Sequence, residues 1–538
     1  AGVPEMGQTG RGEDSEIISY EAAINNLTAG QGEDLEDAAP GDPTDVVVAT
    51  IAAGLTSELQ GNIVDLCPVG ALTSKPYAFT ARPWELTKTQ SIDAMDALGA
   101  AIRIDTKGRE VMRILPRNND DVNEEWLGDR TRYCWDGLRR QRLDRPYVRR
   151  DGKLKQASWD QAFAAIADAV ASSDGRIGAV AGDMVPVEAM FALKGLMDSL
   201  GGRYDCRQDG AWLPAGNRSG YVGNARIADI DEARAILLVG TNPRHEAPVL
   251  NARIRKAWMS GAEVATIGTT ADLTYPTCPM GEDASALVGG DGLAGLQAVM
   301  GSMDNPLVIL GQGALVRDDG TAILAALMAL CESVGAKLLV LHTAAARVGG
   351  MDIGFTDPGG VAGVLDGARV VFNLGADEID MPAGSFVVYQ GSHGDRGAHR
   401  ADVILPGAAW TEQSGFFVNT EGRVQMAARA SFPPGDARED WAILRALSSR
   451  LDVPLPYDSL DDLRRALFEA HPQMRRLGQI APSAWQPVAA SGSVSMRPLR
   501  PVGREHYLVN PIARASQVLA ECSRLAAERP DDAKLAAE

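Results

Sequence analysis

The sequence predicts an α/β protein: a body of parallel sheets covered by helices, preceded by a small β-rich domain. Two patterns carry the prediction. Beyond about Pro146, short stretches that are apolar throughout alternate with helical stretches, and a strand apolar on both faces needs a helix on each side of its sheet. Between Gly61 and about Arg145 the chain is instead compact and aromatic, with strand-like runs close together. At 538 residues and 45% hydrophobic, it has enough apolar surface for a large core.

In order along the chain, residues 1–60 resemble neither region. Gly30–Pro43 is acidic, rich in Gly and Pro and without periodicity, which predicts an exposed loop. Ala101–Asp105 and Glu110–Leu115 predict a hairpin through Thr106–Arg109, with Gly108 able to supply a positive φ. Ser158, followed by Gln161, predicts a capping box opening a helix that runs to about Val170. Strands are expected at Ile177–Val180, Ala235–Val239, Ala262–Ile267, Pro306–Leu310, Lys337–Leu341, Val370–Asn373 and Phe386–Tyr389, and helices at Ala247–Met259 and Ala322–Val334. Trp441–Leu467 and Pro511–Ala527 read as surface helices.

Fifty-two basic against 71 acidic residues give a net charge of -19, which argues against nucleic acid or an anionic membrane surface as the main partner. The six cysteines, at 67, 134, 206, 278, 331 and 522, are scattered and form no CxxC pair. That excludes a disulfide scaffold and suits a reducing compartment. No apolar run approaches the roughly 18–20 residues of a spanning helix. The first residues, Ala1-Gly-Val-Pro-Glu-Met, show no signal peptide and no initiator Met, so the chain is expected to be the remainder of something longer.

The strongest local signal is Leu55–Phe79, containing Cys67-Pro68-Val-Gly-Ala. A Cys followed by Pro often closes a ferredoxin-type ligand set, while a Cys-Pro pair alone is more often an ordinary buried thiol. The run continues through Thr80-Ala-Arg-Pro-Trp-Glu-Leu-Thr-Lys-Thr-Gln-Ser-Ile-Asp93, Val111–Arg117, Val122–Trp126 and Asp136–Arg142. Over these segments the chain resembles the large iron–sulfur subunit of respiratory NADH:quinone oxidoreductase (complex I), closely over 55–145 and more loosely to about Ser516. The resemblance implies a peripheral-arm subunit relaying electrons from the flavin end, where NADH is oxidised, toward quinone. It implies no independent active site in this chain, and partners among the arm's other subunits, including the flavoprotein. The location implied is the cytoplasmic face of a bacterial plasma membrane or the matrix side of the mitochondrial inner membrane. Cys67 would then be the fourth ligand of a [4Fe–4S] cluster. Its other ligands, like those of the [2Fe–2S] cluster expected only in the full-length family member, would lie upstream of Ala1.

The resemblance also implies a domain plan: a remnant of the cluster domain at 1–85 with an acidic insertion, and a β-rich domain at 86–145. A molybdopterin-oxidoreductase-like body follows at 146–500, with a helical tail at 501–538. Residues 91–138 resemble the domain that opens molybdopterin oxidoreductases such as formate dehydrogenase. Its ligand positions here are Ser91, Ala94, Leu98 and Cys134, so its cluster is expected to be absent and Cys134 to be a packed thiol. In the body, the turn Gly240-Thr-Asn-Pro-Arg244 between a strand and a helix is a place where such sheets bind anions, and Arg400–Pro406 and Gly415–Gln425 also resemble molybdopterin-enzyme segments. The resemblance implies an empty scaffold with no molybdopterin. The alternatives are a molybdenum or tungsten oxidoreductase and a redox-inactive scaffold. His245-Glu246 lacks the second His of HExxH, and His393 and His399 are expected to be solvated.

Overall fold

A computed structural model describes Met6–Thr9, Glu16–Ser19 and residues 57–489, 492–502 and 505–527. The expected acidic loop, Gly30–Pro43, lies outside them. In chain order, β1 (Met6–Thr9) and β2 (Glu16–Ser19) pair antiparallel. Then come the short helix α1 (Asn62–Leu66) and a three-stranded antiparallel sheet of β3 (Thr87–Ile92), β4 (Ala101–Lys107) and β5 (Glu110–Pro116). The predicted hairpin is the β4–β5 pair, turning at Gly108 with φ +61°. Helix α2 (Asp129–Tyr133) packs against β5.

The body opens with a hairpin, β6 (Tyr147–Arg150) and β7 (Lys153–Gln156). It turns through Asp151 and Gly152, both at positive φ, as a two-residue hairpin loop requires. Helix α3 (Trp159–Ala171) starts in the expected capping box: the Gln161 N–H donates to Ser158 Oγ, and the Ser158 N–H donates back to Gln161 Oε1. Next come β8 (Ile177–Ala181), α4 (Val187–Leu200) and β9 (Arg203–Asp205).

A second unit then intervenes: β10 (Ala235–Val239), α5 (Pro248–Met259), β11 (Glu263–Ile267), β12 (Cys278–Pro279), α6 (Gly290–Ser302), β13 (Leu307–Gly311), α7 (Gly320–Val334) and β14 (Lys337–Leu341). These strands form a five-stranded parallel sheet in the order β12-β11-β10-β13-β14. The chain returns to the first sheet with β15 (Val370–Leu374), β16 (Phe386–Gly391) and β17 (Val403–Pro406), completing seven strands in the order β7-β6-β17-β16-β15-β8-β9. Five of these are parallel, and β6 joins β17 antiparallel. One continuous core takes side chains from both sheets, including Leu237, Val308, Phe372 and Val403.

A last hairpin, β18 (Gly415–Val418) with β19 (Val424–Ala427), precedes helices α8 (Asp440–Arg450), α9 (Leu460–Ala470), α10 (Pro511–Ala515) and α11 (Gln517–Ala527). The stretch expected as one surface helix, Trp441–Leu467, is two, broken where Pro454 and Pro456 exclude helical hydrogen bonds and Asp452 turns at φ +59°. Nor is α8 superficial, since Ile443, Leu444 and Leu447 are buried. Pro511–Ala527 is likewise two helices, separated at Ser516. No helix among the described residues is long and apolar enough to cross a membrane.

Candidate cluster-binding site

Cys67 caps the C-terminus of α1, its N–H donating to Ile63 O at 3.1 Å. Pro68 ends the helix there, and Gly70 (φ +71°) bends the following chain back over the sulfur. The Leu72 N–H donates to Cys67 Sγ at 3.4 Å. That bond, helped by the amides of Val69, Ala71 and Gly70, holds the thiol below its usual range against the opposing effect of desolvation. Backbone N–H groups directed at a sulfur favour the thiolate, the form that binds metal. The side chain is half-buried rather than sealed, between Leu66 and Val69, which are 68% and 82% exposed.

The support beneath this loop is polar and buried. The Asn62 amide donates to Leu127 O and Leu59 O, both at 2.8 Å, while its oxygen accepts from the Leu127 N–H and from Arg132 Nη2. Arg132 also pairs with Asp65 at 2.8 Å, and the Gly61 N–H donates to Asp129 Oδ1 at 2.9 Å. A Cβ on Gly61 would run into Arg132, so glycine is what lets α1 sit this close to α2. Burial pushes the Asp129 carboxyl up to about 8, with Arg132 opposing and Glu58 adding repulsion. A cavity of about 610 Å³ opens beside the loop, lined by Leu72, Tyr77, Phe79, Arg113, Tyr133 and Trp135 among others. Asn62, Asp129 and Arg132 carry no motif in the sequence; the small Val-Gly-Ala run after Cys67-Pro68 is the one local sign of the amides directed at the sulfur.

Cys134 is placed oppositely. It is fully buried among apolar side chains, with its Sγ–H donating to Thr131 O at 3.3 Å, and burial pushes its pKa well up. Ser91, Ala94 and Leu98 are buried as well. Ser91 Oγ accepts the Ala428 N–H at 3.1 Å, and Leu98 packs into a different apolar cluster from Ala94 and Cys134. One thiol, one hydroxyl and two hydrocarbon side chains do not make the donor set of a cubane. Among the described residues, no three His, Cys, Asp or Glu side chains converge to hold a metal ion.

The turn after β10 is filled by its own side chains. Thr241 Oγ1 bonds Glu246, and Arg244 pairs with Glu58 at 2.8 Å and with Asp272 at 2.6 Å. The crevice beside it retains only about 10 Å³, and the one beyond β15 and β16 about 50 Å³. Both volumes are small beside that of a pterin dinucleotide. His393, expected in solvent, is buried: its Nε2 faces Gly137 O at 3.1 Å, its Nδ1 faces Ser392 Oγ at 2.8 Å, and burial lowers its pKa to about 3. The polar stretch around it folds against the 134–139 segment, which its composition does not reveal. His399 is exposed as expected.

Three family models match the chain: molybdopterin oxidoreductase over residues 142–450, the NADH-ubiquinone oxidoreductase NDSU1/NuoG-like 4Fe-4S domain over 86–136, and the ferredoxin-like domain of NADH-quinone oxidoreductase subunit 3 over 29–73. The chain is 43% identical over 97% of its length to the mitochondrial NADH-ubiquinone oxidoreductase 78 kDa subunit of Neurospora crassa, covering 70% of it. It is 42% identical to the Candida albicans 78 kDa subunit, covering 97% of this chain and 72% of that one. To the 75 kDa subunit of Reclinomonas americana it is 39% identical, over 98% of this chain and 76% of that one. Among solved structures, acetylene hydratase from Pelobacter acetylenicus superposes with a TM-score of 0.52 at 13% identity, over 73% of this chain and 74% of that one. That likeness shows the fold.

Proposed function

The chain belongs to the family of the NADH-ubiquinone oxidoreductase 75 and 78 kDa subunits, and from that premise we propose that it serves in complex I as a peripheral-arm subunit on the electron path from NADH toward quinone. The observation that carries the role of its own residues is the half-buried Cys67 sulfur, which accepts the Leu72 N–H at 3.4 Å. Cys67 is the ligand this chain offers to a [4Fe–4S] cluster, and such a cluster, when bound, supplies one-electron transfer. The other three ligands come from protein beyond these 538 residues, because the remaining five cysteines lie elsewhere in the fold; so do the ligands of any [2Fe–2S] centre.

The chain's own contribution is positional. Amides 69–72 stabilise the thiolate and would tune a bound centre through N–H donation to sulfur. The Asn62–Arg132–Asp129 support fixes α1, and so the direction in which the sulfur points. The body, from about residue 146 to 500, acts as scaffold without molybdopterin: its two strand-end crevices leave too little room, and the 86–145 domain offers one thiol where four are needed. The partners on this reading are the neighbouring arm subunits, the flavoprotein among them, on the matrix or cytoplasmic side of the membrane.

Cys67→Ala in the assembled complex is expected to abolish one [4Fe–4S] EPR signal after reduction by NADH, whereas Cys134→Ala leaves the spectrum as it was. An unchanged spectrum for Cys67→Ala removes the assignment.

A further inference from the structure

The five-stranded sheet runs outward from β10 in both directions, through β11 to β12 on one side and β13 to β14 on the other. In an open parallel sheet of this order, the crevice outside the strand ends flanking the reversal is where ligands enter. Here that mouth is built of Gly240, Gly268, Gly311 and Gly313. Two of these glycines let the strand ends close on each other: a Cβ on Gly311 would lie 2.5 Å from Gly240 O, and one on Gly240 2.9 Å from Ala314 N. The other two make room for a distant piece of chain. A Cβ on Gly268 would lie 2.9 Å from Leu499 O, and one on Gly313 would collide with the carbonyl oxygen of Arg500 and lie 2.6 Å from Gly240 O as well.

That piece, Ser495–Pro501, is held by backbone and side-chain hydrogen bonds. Leu499 O accepts the Thr269 N–H at 2.9 Å, and the Leu499 N–H donates to Glu282 O at 2.7 Å. The Leu499 side chain is fully buried in the main core. Arg317, itself paired with Asp319 at 2.8 Å, donates to Arg497 O at 2.8 Å, Pro498 O at 3.0 Å and Ser495 Oγ at 2.7 Å; Asp319 accepts the Ser495 N–H at 2.8 Å. Beside Leu499 and Pro501 of this piece, between the ends of β10 and β11, remains a cavity of about 10 Å³, the space of about one water. On its wall lies Thr266, whose buried Oγ1 has no partner in the structure.

We propose that Ser495–Pro501 is a built-in plug: it occupies, within the chain, the place where a sheet of this order takes a ligand, and it must leave before anything else can enter. The crevice is thus closed by a segment of the chain itself, not by loss of its glycine-lined mouth. This holds whether or not Cys67 binds a cluster.

Hydrogen exchange on the full chain tests it. Arg317→Met removes the donors that hold Ser495, Arg497 and Pro498, and Asp319→Ala removes the acceptor of the Ser495 N–H; both leave the glycine mouth untouched. Each is expected to speed exchange of the Thr269 and Leu499 amides together by at least about tenfold, with the β10 and β13 amides unchanged, as local release of one segment requires. In a Thr266→Cys background, Arg317→Met is expected to raise maleimide labelling at position 266, followed by peptide mass mapping, by a similar factor. Exchange that rises equally across β10–β14, that rises in neither variant, or labelling that does not depend on Arg317 overturns the proposal.

Discussion

At the scale of single residues, burial decides what each thiol or carboxyl can do. Cys67 and Cys134 are chemically identical, yet one sulfur lies half-open among N–H donors and the other is enclosed by hydrocarbon. The first favours the charged form and the second opposes it. Asp129 shows the same logic with a consequence for stability. Its carboxyl is raised in the folded protein to about 8, so between the unfolded value and that point the folded state keeps a proton that the unfolded chain has lost. Its contribution is full in acid and drains away as pH climbs through 8. Asp129→Asn retains an oxygen for the Gly61 N–H but never ionises. Its melting temperature is therefore expected to fall less than the parent's between pH 5 and 8, by about 2–4 °C in calorimetry. Equal slopes for the two proteins would refute the assignment. The motif around Cys67 was legible in the sequence. The residues beneath it were not, because Asn62, Asp129 and Arg132 meet only once α1 lies on α2.

At the scale of elements, local chemistry was a good guide wherever it was self-sufficient. Ser158 and Gln161 satisfy each other's backbone groups without help from elsewhere, and α3 starts where they place it. Ser158→Ala is expected to cost about 1 kcal/mol in urea denaturation, with no change in the spectroscopic properties of a bound cluster. The strands Ala235–Val239 and Lys337–Leu341 were legible to the residue, since helices on both faces make the first apolar throughout and the second apolar beyond its exposed Lys337. The strands that pair late or at edges, β9, β12 and β17, carry too few residues for any periodicity. Strap residues 495–501 hold no regular structure at all. Their place is set by Arg317 and two glycines that lie far off in sequence, so composition gives no hint of it.

At the scale of the whole molecule, the α/β body and the β-rich domain before it were legible, but not the way they are joined. Arg142 makes a two-pronged pair with Glu412, both bonds 2.6 Å and both side chains nearly buried, and it donates further to Ser392 O and Leu138 O. Removing one partner of such a pair strands the other charge. Arg142→Met is therefore expected to cost about 3–5 kcal/mol by chemical denaturation, with much of it recovered when Glu412→Gln is added. Additive losses would show that the two side chains act independently. The hydropathy pattern also reads as one series of alternating strands and helices. The structure divides that series between two sheets, because the whole five-stranded unit is inserted between β9 and β15.

That insertion bears on how the protein is made. A nascent chain released from the ribosome to about Leu341 has every strand of the inner sheet, whereas the outer one still lacks its three central members. The inner unit can therefore condense during synthesis while β8 and β9 wait with an unpaired edge, and the late arrival of β15 to β17 closes the gap. For that interval the waiting edge is the part of the polypeptide most exposed to aggregation, and the part a chaperone would need to cover.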